Sequence, residues 1–315
     1  MNLLQKLTSL TGLALIGLFF SPQALAQDGE PFRTRTFDVS SSAEFSAETS
    51  GSSVKVTGTG GDQIVVRMYA KDKNGDDYLS ADEVNENLGD YTLRMEHSGN
   101  EVELVFKRKN SVGWNWGDQK MRVYFEVEVP EQTETTFRTS GGSISLDGVS
   151  GDHDIGTSGG SVSISRGEGD IYARSSGGSF ALSDFSGDIE VKTSGGSVSM
   201  DGLDGDIEVY TSGGSVKMSD VSGSIGAYTS GGSIRAELVD ITDDLEFKSS
   251  GGGITVAVPS TAGLDLDLRG GRVAFDMVNF NGKVEKDRVE GEMNGGGHSL
   301  TMQSSGGRLK LEYTE

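Results

Sequence analysis

Apolar and polar residues alternate along most of this chain, and the alternation returns on a fixed period. The string Thr139-Ser140-Gly141-Gly142-Ser143 recurs, with Ser for Thr once, from Thr157, Ser175, Thr193, Thr211 and Thr229, always 18 residues on. A further copy starts at Ser249 after 20 residues, and a late one at Ser304. Within Thr193–Tyr210, Val198 and Met200 alternate with Ser197, Ser199 and Asp201, and Ile207 and Val209 alternate with Asp206, Glu208 and Tyr210. Such period-2 alternation predicts two short half-buried strands per repeat. Glycine-rich turns at Ser194-Gly195-Gly196 and Gly202-Leu203-Asp204-Gly205 separate them. Eighteen residues are too few for a helical repeat or a propeller blade.

Overlaid, the repeats form apolar columns. One holds Ile144, Val162, Phe180, Val198, Val216, Ile234 and Ile254; another Leu146, Ile164, Leu182, Met200 and Met218; a third Ile171, Ile189, Ile207, Ile225 and Leu245. A single repeat cannot bury such a face, whereas a stack can. The predicted fold is therefore all-β: a β-solenoid, parallel β-helix-like, whose 18-residue two-strand rungs lie about 4.8 Å apart. The Gly-Gly pairs are expected to supply positive φ at the corner. They lack the helix and lysine of a phosphate loop, and the GGxGxD nonapeptide of calcium β-rolls is missing.

After the repeats come Ile254–Pro259, Ala262–Asp267, Gly295–Gly297 and Ser305–Leu309. Together with the Ser-Gly-Gly-Ser rungs they resemble the bacterial putative-adhesin family of exported β-strand-repeat proteins. The resemblance implies a surface or periplasmic β-solenoid; it brings no established ligand and no catalytic residues. The partner expected of such faces is an unidentified cell-surface protein or glycan. The regular repeats span 139–248 and C-terminal rungs span 249–315. Residues 49–138 read as irregular N-terminal rungs, beginning at the degenerate rung Glu48–Val56 and continuing with a strand at Ile64–Tyr69 and a hairpin-like pair, Tyr91–Glu96 and Glu101–Lys107.

Composition then narrows the class. Residues 1–26 combine Lys6, an apolar run from Leu10 to Phe20, Pro22 and Ala24-Leu25-Ala26, which reads as a signal peptide cleaved after Ala26. The rest, 27–315, is expected to be a single β-solenoid domain with 26 Lys and Arg against 48 acids, a net charge of −22. That charge repels nucleic acid. No cysteine is present, which excludes disulfides, thiolate metal sites and thiol catalysis. No later segment reaches the length of a membrane span, so the protein is expected to be exported: periplasmic, cell-surface or secreted.

One stretch breaks the strand pattern with recognisable chemistry. Asp72-Lys73-Asn74-Gly75-Asp76-Asp77-Tyr78-Leu79-Ser80-Ala81-Asp82-Glu83 resembles the 12-residue EF-hand calcium loop. Asp72, Asn74 and Asp76 hold the first, third and fifth positions, Tyr78 offers its carbonyl, Ser80 a water-bridged ligand and Glu83 the bidentate carboxylate. Asp77 departs from the preferred Gly at position six, and only an exiting helix, Ala81 to Leu88, is expected. Calcium is the expected cofactor, bound in the weak extracellular range of about 0.1–1 mM.

Other candidates are an Asp152, Asp170, Asp188, Asp206 and Asp244 carboxylate ladder, each carboxylate expected to accept a turn N–H. An outward column of Arg174, Lys192, Tyr210, Tyr228 and Lys248 could meet a glycan or a protein. Trp114 and Trp116 would share a strand face, and the Ser-x-Ser array (Ser197/Ser199 is typical) is interrupted by Lys217 and Arg235. His97, His153 and His298 sit beside no nucleophile motif, and His153 falls in a column of isoleucines. The reading is a non-catalytic adhesin-like solenoid; the alternative is a calcium-assisted polysaccharide lyase or hydrolase on the same scaffold.

Overall fold

The computed structural model describes residues 29–40, 42–109, 120–275 and 278–314. Residues 1–26, where a signal peptide is expected, and Trp114 and Trp116 lie outside them. The chain enters through β1 (Arg33–Asp38), β2 (Ala43–Thr49), β3 (Ser53–Thr59) and β4 (Gln63–Asp72). Helix α1 (Ala81–Leu88) precedes β5 (Tyr91–Ser98), β6 (Glu101–Arg108), β7 (Met121–Pro130) and β8 (Thr133–Thr139). The repeats follow as β9 (Ile144–Asp147), β10 (His153–Thr157), β11 (Val162–Glu168), β12 (Ile171–Ser175), β13 (Phe180–Ser186) and β14 (Ile189–Thr193). Three longer strands, β15 (Val198–Thr211), β16 (Val216–Thr229) and β17 (Ile234–Ser249), each run through a whole rung. The last are β18 (Ile254–Val258), β19 (Leu264–Arg269), β20 (Arg272–Phe275), β21 (Phe280–Val284), β22 (Arg288–Met293), β23 (His298–Ser304) and β24 (Arg308–Tyr313).

The apolar columns of the sequence are the register of two parallel ladders. In the first, Val162, Phe180, Val198, Val216, Ile234 and Ile254 are successive partners. In the second, Ile171, Ile189, Ile207, Ile225 and Leu245 are. All these residues are at most 2 % exposed, so alternation is read directly as inside and outside. A short third side joins the two strands of a rung, where Phe185, Leu203, Val221 and Leu238 stack in the core. Gly167 leaves room there: a Cβ on it would come within 2.8 Å of the Phe185 ring.

The corner glycines have a different reason from the one expected. None of Gly178, Gly196, Gly214 and Gly232 takes a positive φ. A Cβ on any of them would lie 1.8–1.9 Å from the carbonyl oxygen of the equivalent glycine one rung before. Close backbone stacking, not handedness, excludes a side chain. Positive φ serves the opposite corner, at Gly169, Gly187, Gly205 and Gly223 (116–134° for three of them, 142° at Gly205). From Thr193 onward the buried corner hydroxyl ties each repeat to the one before. Thr211 Oγ1 donates to the Gly196 carbonyl at 3.2 Å and accepts from the Gly214 N–H at 3.1 Å. Thr193, Thr229, Ser249 and Ser304 make the same pair of bonds, which satisfies polar groups that burial would otherwise leave unpaired.

At both ends the stacking order leaves the chain order. The rung β2–β3 lies between β6–β7 on one side and β8–β9 on the other. The antiparallel strands β4, β1 and β5 close that end. At the other end β23 inserts between β17 and β19, and β24 between β18 and β20. Antiparallel β22 and β21 finish it.

Candidate functional site

The outward face of the second ladder gathers the polar candidates into lines. Asp152, Asp170, Asp188 and Asp206 follow one another rung by rung, because the residues after them pair in register. Glu134, Glu44 and Glu101 prolong the line toward the N-terminal end. The signal for Glu134 was present, since it stands 18 residues before Asp152; Glu44 and Glu101 were hidden by the reordered rungs. Ser224 interrupts the line before Asp244. The four aspartates are exposed and form no ion pair with a described residue. Among the column's carboxylates, Asp244 accepts a backbone N–H, that of Ser299 at 2.7 Å, so the turn bonds expected of every aspartate are not general. Ser299 thereby holds the Asp244 carboxyl below its ordinary range.

Beside this line runs a shallow groove of about 770 Å³, lined by Arg174, Lys192, Tyr210, Tyr228, Lys248 and the hydroxyls of Ser194, Ser212 and Ser230. Parallel register sets Tyr210 directly against Tyr228, and their rings stack with centroids 4.8 Å apart and planes 8° apart. The Lys192 ammonium lies 5.1 Å from the Tyr210 ring and that of Lys248 5.9 Å from Tyr228. Stacking and the two cations thus engage the ring faces themselves. What the groove offers a ligand is hydroxyl, ammonium and guanidinium groups. Tyr210 donates to Glu208 at 2.8 Å and Tyr228 to Glu246 at 2.5 Å, while Lys192 pairs with Glu190 at 2.6 Å. The hydrogen bond to Glu208, with some burial, pushes the Tyr210 hydroxyl up to about 12. Burial and then Glu246 raise Tyr228 too. Both phenols therefore stay neutral donors at ordinary pH.

The loop Asp72–Glu83 sits between β4 and α1. Asp72 Oδ1 accepts the N–H groups of Gly75 at 2.7 Å and Asp76 at 2.9 Å. Desolvation works to raise the Asp72 carboxyl, but the backbone N–H groups of Asp76, Gly75, Asp77 and Asn74 outweigh it and hold the carboxyl below its ordinary value. The left-handed residue of the loop is Gly75, at φ 89°, and not the sixth position, so Asp77 needs no glycine. Ser80 caps α1 and Glu83 closes a capping box, accepting from Ser80 N at 2.9 Å and Ser80 Oγ at 2.6 Å. Those two bonds lower the Glu83 carboxyl. Tyr78 is anchored by its hydroxyl to that of Tyr124 at 2.9 Å, while Asn74 and Asp76 are exposed. The structure brings Asp72 to Asp76 and Ser80 to Glu83; among the described residues Asp72, Asp76 and Glu83 do not converge within 4.8 Å.

His153 is a core residue. It is 1 % exposed, and its Nε2–H donates to the Val149 carbonyl at 3.2 Å, so Nδ1 accepts from the Thr135 hydroxyl at 2.9 Å. Burial pushes its pKa down. His97 and His298 are exposed. Among the described residues no helix is long and apolar enough to cross a membrane.

The family model described as Toastrack DUF4097 matches residues 43–312, from β2 to β24. No curated protein matches the sequence. Among solved structures, a putative adhesin from Bacteroides fragilis NCTC 9343 is 13% identical over 90% of this chain and 96% of its own, with a TM-score of 0.38. A putative lipid binding protein from Parabacteroides distasonis ATCC 8503 is 14% identical over 90% and 97%, TM-score 0.29. A putative cell adhesion protein from Clostridium sporogenes ATCC 15579 is 12% identical over 90% and 100%, TM-score 0.21.

Proposed function

The chain belongs to the Toastrack DUF4097 family, and from that premise we propose that it is an exported, non-catalytic, adhesin-like solenoid that binds a surface glycan or protein along its second ladder. The observation that carries this reading is the groove beside the aspartate line. Hydroxyl and cationic groups repeat there at the rung spacing, a spacing suited to an extended polar chain rather than to one compact substrate. Calcium belongs to the same proposal as a local stabiliser at Asp72, Asn74, Asp76, Tyr78, Ser80 and Glu83. Support comes from the spacing of those residues and from Asp72, which the surrounding N–H groups keep ionised. Binding would require Glu83 to release Ser80 and turn toward Asp72.

The test is a panel of immobilised polysaccharides probed with the mature chain, and with its Tyr210→Ala and Lys192→Ala variants, with assay for new reducing or unsaturated ends. Retention that both variants lose, without product, is the expected result. New chain ends would replace this reading with the lyase or hydrolase.

A further inference from the structure

Where the chain departs from its period, it brings three metal-ligating groups together. The rung that ends at Ser249 is 20 residues long instead of 18, and the register of β16 and β17 shifts between Met218 and Ile225. The added length places two consecutive carboxylates, Asp243 and Asp244, at the corner of β17. The last rung, inserted between β17 and β19, begins with His298. The ligand atoms of Asp243, Asp244 and His298 all lie within 4.8 Å of one another, and the three side chains are exposed to solvent. One oxygen of each carboxylate is fixed by a backbone N–H. Asp244 N donates to Asp243 Oδ1 at 2.7 Å, and Ser299 N donates to Asp244 Oδ1 at 2.7 Å. Both carboxylates are thus held in place beside the imidazole.

We infer that Asp243, Asp244 and His298 bind one divalent transition-metal ion. An imidazole nitrogen with two carboxylates suits zinc, manganese or nickel, whereas calcium and magnesium take shells of oxygen alone. Three protein ligands leave further positions to water. The consequence is structural. Asp244 and Ser299 are 55 residues apart, so an ion here staples the inserted last rung to the repeats. Asp244 ends the aspartate line, but none of the three residues lines the groove or belongs to the Asp72–Glu83 loop, so the inference depends on neither.

Zinc chloride titrated calorimetrically into the full mature chain near neutral pH tests this, with His298→Ala, Asp243→Asn and Glu83→Gln beside it. Wild type is expected to take one zinc per chain and to melt at higher temperature with zinc. His298→Ala and Asp243→Asn should bind more than about tenfold more weakly, a loss that outer-shell substitutions alone can reach, and should lose the thermal shift. Glu83→Gln should match wild type. Because all three residues are exposed, the metal-free variants should melt with wild type, and Asp243→Asn preserves shape. Absence of saturable binding in wild type, or equal binding in His298→Ala, would overturn the inference.

Discussion

A single methyl group separates the two glycines of each corner. A Cβ on Gly196 would sit 1.9 Å from the Gly178 carbonyl oxygen, whereas one on Gly195 meets nothing closer than 3.8 Å. Gly196→Ala must therefore push neighbouring rungs apart, a loss of about 1–3 kcal/mol or more by the measure of overpacked cores. Gly195→Ala should stay within about 0.5 kcal/mol of wild type. Urea unfolding of the pair separates this account from one based on φ, which would penalise both alike. His153 gives a second residue-scale expectation. Its folded pKa is depressed by burial, so below its ordinary value of about 6.5 the unfolded chain binds the extra proton. The stability due to neutral His153 is complete above that pH and declines as pH falls through it. His153→Leu should flatten the slope of unfolding free energy between about pH 6.5 and 5, before the carboxylates titrate. An unchanged slope would mean that another group is responsible.

At the level of elements, the inserted loop and helix were the most legible stretch of the irregular region, because their determinants are local. Ser80 and Glu83 stand three apart, and the capping box they form starts α1 at Ala81, as expected. The partner of Glu83 was not legible: a carboxylate in the first helical turn can serve the cap or a cation, and the same spacing allows both. Calcium should draw it from the cap. If so, titration at millimolar calcium gives a saturable signal that Glu83→Gln reduces most, since the amide keeps a cap acceptor but loses the bidentate carboxylate. At ten times Kd the loop would gain about 1.4 kcal/mol. Gly75→Ala should also impair binding, because it forces a side chain into φ 89°, whereas Asp77→Gly should change little. Equal, nonspecific heats from wild type and Glu83→Gln would reduce the loop to a charged turn.

For the whole molecule, period and alternation made the repeats readable residue by residue, but not the order of the ends. The rungs share the same apolar frame, so the pattern that says a segment stacks does not say on which neighbour. Contacts such as Leu245 with Leu300, and Leu300 with Leu266, decide this, and they join positions that no repeat aligns. The ends therefore behave differently from those of a solenoid stacked in chain order, whose terminal rung frays alone. Here the last rung is interior: Leu300 and Leu309 are fully buried, as Ile207 is in mid-stack. Leu300→Ala and Ile207→Ala should each cost about 2–5 kcal/mol. Deleting residues 298–315 should do more than remove a cap. It takes β23 and β24 out from between β17–β18 and β19–β20, leaving open hydrogen-bonding edges on β17 and β18 and no partner for β20. Unpaired parallel edges recruit other chains. Light scattering should find the shortened chain self-associated under conditions where the Leu300→Ala chain stays as dispersed as wild type. A shortened chain that remained dispersed and folded would show that the ends stack in chain order after all.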